Sequence, residues 1–86
     1  MRAGPGRALM DAVLRGARRT ATRRLWLVTT NDNIRAIRFH QRWGMDLAAF
    51  VRHGVAASRK VKPSIPMVGD EGIPVRHELE FELCLE

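Results

Sequence analysis

Leu79, Phe81, Leu83 and Leu85 alternate with Glu78, Glu80, Glu82, Cys84 and Glu86 at the end of the chain. A period of two places the apolar set on one face of a β-strand. Leu25-Trp26-Leu27-Val28-Thr29-Thr30 is a second β-favouring run, which predicts a strand over residues 24–30. Helical spacing then takes over, because Ala36, Phe39, His40 and Trp43 stand at i, i+3, i+4 and i+7. A helix over residues 31–43 carries these four on one face. Asn31 suits its N-cap and Gly44 suits the left-handed residue that ends it, with residues 45–52 following as another strand. Upstream, Leu9, Met10, Val13, Leu14 and Ala17 oppose Arg7, Asp11, Arg15 and Arg18, so residues 5–18 form an amphipathic helix. Arg18 and Arg19 sit near its end, where the helix dipole favours cations. From residue 53 to 74 the periodicity fades, and Pro63, Pro66, Gly69, Gly72 and Pro74 punctuate a long loop with a helical turn at residues 55–60.

The order helix, strand, helix, strand, strand defines an α/β (α+β) chain with a mixed sheet of about three strands and two helices in a single domain over residues 1–86. A chain this short buries only about two-thirds of its unfolded surface and is marginal by itself. An open apolar strand at 24–30 would add to that difficulty, since an unpaired edge invites a second copy or an upstream segment to pair with it.

Composition narrows the class. The chain is 45% hydrophobic with no apolar run near the ~20 residues of a membrane span. It shows no secretory leader, which makes the cytoplasm the expected location. One cysteine excludes an internal disulfide. His40, His53, His77 and Cys84 lack the close paired spacing of a metal site. Charge is uneven: residues 1–62 hold 14 of the 15 Lys and Arg but only three of the nine acids. Arg18, Arg19, Arg23, Arg24, Arg35, Arg38 and Arg42 therefore raise an alternative, a basic nucleic-acid-binding or interaction fragment. The run lacks the interleaved aromatics of single-strand binders, which makes nucleic acid the weaker reading.

Two short stretches carry chemistry. Gly4-Pro5-Gly6 opens a helix, and glycines at a helix start let backbone N–H groups approach a phosphate under the favourable end of the dipole. Arg7 can add a charge-assisted contact. Pro5 removes one donor from such a cradle. The same residues also read as a plain Gly/Pro-rich terminus. Asn33 offers a donor and an acceptor to an amide-bearing ligand, or satisfies the local backbone with Asn31 and Asp32.

The spacing of Asn33, Ala36, His40, Gly44 and Met45 resembles the pattern Asn-x-x-Ala-x-x-x-Tyr-x-x-x-Gly-Phe of the GNAT family of acyl-CoA-dependent N-acyltransferases, with three of five positions matching outright. Gly4-Pro5-Gly6 resembles the end of that family's (Gln/Arg)-x-x-Gly-x-(Gly/Ala) pyrophosphate loop, with Met1 where its first Gln or Arg stands. The resemblance implies acetyl-CoA as co-substrate and an unidentified amine as acceptor, with Gly4, Gly6, Arg7, Asn33 and Ala36 on the cofactor. It also implies only the C-terminal half of a truncated domain, because the four strands and two helices that precede the loop in the family have no counterpart. The final strand is then expected to insert antiparallel beside residues 24–30, and the loop at 53–74 to help shape the acceptor pocket. His40 replaces the family's Tyr, whose role is to protonate the departing thiolate. It reads either as a general acid in that place or as a ring packed beside Phe39 and Trp43.

Overall fold

A computed structural model describes residues 5–85. Its elements are α1 (Pro5–Arg19), β1 (Arg24–Thr30), α2 (Ile34–Trp43), β2 (Asp46–Val51), α3 (Gly54–Val61), a short 3-10 turn (Asp70–Gly72) and β3 (Glu78–Cys84).

The expected strands all form, but the sheet is not mixed. Its order is β1-β3-β2, and β3 runs antiparallel to both neighbours. The α2 crossover makes β1 and β2 run the same way. Because β3 slots between them, no two adjacent strands are parallel. Leu25, Leu27 and Thr29 lie across from Leu83, Phe81 and Leu79. Leu47 and Phe50 register with Phe81 and Leu79 on the other side, past a bulge at Ala48. One face is thus apolar, and Phe81 at its centre is fully buried. On the opposite face Trp26 and Val28 stand across from Glu82 and Glu80.

Two further expectations are corrected. Among the described residues there are three α-helices rather than two, because α3 occupies the first part of the stretch read as loop. Val55 anchors it, completely buried, and Ser58 donates to Glu78 Oε2 at 2.6 Å. A single buried valine gives too little periodic signal to separate a helix from a turn. The second correction concerns the start of α2. Asn33, not Asn31, is its N-cap, with Oδ1 accepting from the Ala36 N–H at 3.1 Å. Gly44 ends the helix as expected, at φ 118, where its N–H reaches back to the carbonyls of His40 and Gln41.

The core is small. Ala17, Met45, Val55, Val75 and Phe81 are its buried apolar residues among those described. Leu9 and Val13, on the apolar side of α1, remain 66% and 45% exposed, and Trp26 is 57% exposed. Within the described residues the outer edges of β1 and β2 are unpaired.

Candidate functional site

The site begins where α1 meets α2. Pro5 occupies the first helical position, where its missing N–H costs the helix nothing. Gly6 follows within the first turn, exposed, and a Cβ built there would lie 3.6 Å from Phe39 Cζ. That is ordinary contact, so Gly6 is not required for helix packing. What the approach does is bring the amino end of α1 against the middle of α2. Deeper along the pair, Trp43 Nε1 donates to Asp11 Oδ1 at 2.9 Å and fixes the two helices together. Arg7 is exposed on the first turn, which carries no acidic residue. Gly4 lies outside the described residues.

Asn33, Ala36 and His40 follow one another along one face of α2. Asn33 spends its oxygen on the cap, and among the described residues nothing accepts from its Nδ2. Ala36 is half-buried and its N–H is taken by that cap. His40 lies about 10 Å beyond Asn33 along the helix. It is packed between Phe39 and Phe81, with ring centroids 5.5 and 5.4 Å away. Phe81, a residue 41 positions away in sequence, takes the place expected for Trp43.

His40 Nδ1 is enclosed and has no hydrogen-bond partner, the one such side-chain atom among the described residues. Burial pulls the imidazole pKa below its ordinary value, because the charged ring would bury an unpaired N–H. The neutral ring is therefore the form present at pH 7. That weighs against an imidazolium acid and leaves a ring N–H as a hydrogen-bond donor.

The turn after β1 organises a second region. Asn31 Nδ2 donates to the Pro74 carbonyl at 2.9 Å, and Asn31 Oδ1 accepts from the Arg76 and His77 N–H groups, each at 2.9 Å. Asp32, buried, accepts from the Thr30 hydroxyl and from the Asp70 N–H at 3.4 Å. These two side chains hang the 62–77 connection from the carboxyl end of β1. The sequence marked them only as turn and cap formers. Beside them the 3-10 turn and α2 enclose a cavity of about 470 Å³ lined by Ile34, Arg35, Arg38, Asp70 and Glu71. A second cavity, of about 310 Å³, lies between α3 and the connection.

Glu78 is bonded to Ser58, and Glu82 pairs with Arg24. Arg24, counted above among the arginines suited to phosphates, also lies 6.0 Å over the Trp26 ring. Cys84 is exposed and free. No described helix is long and apolar enough to cross a membrane.

Residues 2–45 match the Acetyltransferase (GNAT) family, and the chain belongs to that family. It is 39% identical over 83 residues to the uncharacterized protein YdhI of Bacillus subtilis (strain 168), covering 96% of this chain and 52% of that one. An acetyltransferase of Bacillus subtilis solved in complex with CoA superposes with a TM-score of 0.79 at 17% identity, over 100% of this chain and 53% of the other. A GNAT family acetyltransferase from Elizabethkingia anophelis with acetyl-CoA bound gives a TM-score of 0.70 at 18% identity, over 93% and 48%. The chain spans about half the length of the curated relatives it matches.

Proposed function

We propose that this chain supplies the C-terminal half of an N-acetyltransferase domain, which transfers an acetyl group from acetyl-CoA to an amine. The observation that carries this reading is the approach of Gly6 to Phe39. It sets the amino end of α1 beside the α2 face bearing Asn33 and His40. Two solved relatives hold CoA or acetyl-CoA, and the residues present fit such a ligand. The first turn of α1 offers outward backbone N–H groups, a glycine and Arg7, with no acid to repel a phosphate. Asn33 Nδ2 is a spare amide donor for the amide-bearing arm. Ala36 keeps the same face low, so that the arm can lie close to α2.

His40 acts as a neutral donor in this proposal. An N–H on a half-buried neutral imidazole can stabilise charge developing on the leaving sulfur without first taking a proton from water. Acetyl-CoA supplies the activated acyl group and the thiol leaving group. The unpaired outer edge of β1 is the surface on which an upstream strand of the same domain, or a second copy, would pair.

Isothermal titration of acetyl-CoA into the full chain tests the cofactor half of this reading. Binding in the micromolar range that weakens with desulfo-CoA supports it, and a folded chain with no heat of binding refutes a working half-site.

A further inference from the structure

The 310 Å³ cavity between α3 and the 62–77 connection is lined by basic and apolar side chains. Its polar lining comes from His53, Arg59 and Arg76, and Met67, Val68 and Pro74 form much of the rest. No acidic side chain among the described residues lines it.

The three basic groups differ in how they are held. Arg59 is stitched in place: Nε donates to the Ile65 carbonyl at 3.3 Å, and Nη2 donates to those of Pro66 and Val75 at 3.0 and 3.1 Å. Those carbonyls, which would repel an anion, are turned to Arg59 instead. The Arg76 guanidinium has no hydrogen bond or ion pair among the described residues, although its backbone N–H is fixed by Asn31. The His53 ring packs 5.0 Å from His77 and makes no side-chain hydrogen bond. His77 reports the local field. Its pKa is lowered, first by desolvation and then by the neighbouring His53, Arg76 and Arg52. Two arginines and a histidine thus share the lining with apolar side chains, and the walls are tied to the carboxyl end of β1 through Asn31.

We propose that this cavity binds a small organic anion, a carboxylate on a short apolar chain, with the carboxylate between Arg76 and His53 and the chain along Met67, Val68 and Pro74. A carboxylate there gains hydrogen bonds from a guanidinium that has no other partner, and its chain covers apolar surface otherwise left to water. Met67 and Val68 are 69% and 56% exposed. The proposal rests on the lining of this cavity and requires no cofactor.

The test is a titration of the full chain, labelled at its methionine methyls, with hexanoate, hexylammonium and acetate. Hexanoate is expected to move the Met67 methyl saturably and to leave Met45, buried elsewhere, in place. Hexylammonium should leave Met67 unmoved, and acetate, which lacks the chain, should bind more weakly. Arg76→Gln should weaken hexanoate about tenfold, the loss of one charge-assisted contact, and Arg76→Lys should retain most of the affinity. Since the Arg76 side chain holds no other element, the variant keeps its fold, which unchanged Met45 and Met10 signals would register. Equal shifts from hexylammonium, no saturation with hexanoate, or unaltered affinity in Arg76→Gln would each overturn the proposal. Displacement of hexanoate by acetyl-CoA would overturn it as well, by assigning the cavity to the acyl carrier.

Discussion

Asp32 and Gly69 compete for one volume: a Cβ built on Gly69 would stand 2.5 Å from Asp32 Cγ and would overlap Oδ2. The buried carboxylate fills the space a side chain at position 69 would need, and it also accepts the Asp70 N–H. The connection can therefore close over the end of β1 only with glycine at that point. Gly69→Ala is expected to destabilise the chain by about 1–3 kcal/mol, the range for overpacking a closed site. Urea unfolding measures this. The double variant with Asp32→Ala should recover part of the loss, since the clash needs both partners. A Gly69→Ala midpoint equal to the parent would contradict the close approach.

Asn33 has two separable uses, the cap through Oδ1 and a spare Nδ2 donor. Asn33→Ala removes both, and should cost about 1 kcal/mol of stability together with acetyl-CoA affinity. Asn33→Asp keeps an oxygen for the Ala36 N–H and loses only the donor. It should unfold like the parent while binding acetyl-CoA more weakly. Paired unfolding and titration data decide the matter, and undiminished affinity in Asn33→Asp would remove Asn33 from the cofactor site.

The pKa of His40 is lower in the folded chain than in the unfolded one, so the unfolded chain takes up the proton first as pH falls. Stability from this group is complete above about pH 6.5, the unfolded value, and is lost as pH drops toward the folded value. His77 acts in the same direction. His40→Phe, which keeps a ring between Phe39 and Phe81 and removes the orphan Nδ1, should flatten the acid side of the profile. Denaturation midpoints between pH 5 and 8 would show this. A parent profile that improves on acidification would mean that His40 Nδ1 finds an acceptor.

Trp43 and Asp11 make the one side-chain hydrogen bond between α1 and α2 that the described residues show. Trp43→Phe keeps an aromatic ring and deletes the donor, with an expected loss of about 0.5–1.5 kcal/mol. If acetyl-CoA depends on the meeting of the two helices, its affinity should fall in the same variant. A change in stability alone would confine the bond to folding.

Local pattern determined much of this protein. The alternation around Phe81 gave β3, the run Leu25-Trp26-Leu27-Val28 gave β1, and the i, i+3, i+4, i+7 set gave α2 with its glycine stop, because each signal repeats within a few residues. The family was legible for the same reason, since Asn33, Ala36, His40 and Gly44 lie on three turns of one helix. Tertiary structure decided what depends on distant partners. It made the sheet antiparallel throughout by inserting β3 between β1 and β2, and it turned residues 54–61 into a helix on the strength of one buried valine. It also took Asn31 from the expected cap and gave it to Pro74, Arg76 and His77. The charge state of His40 belongs to the same class: Phe81, 41 residues away, encloses a ring whose sequence neighbours left both of its roles open.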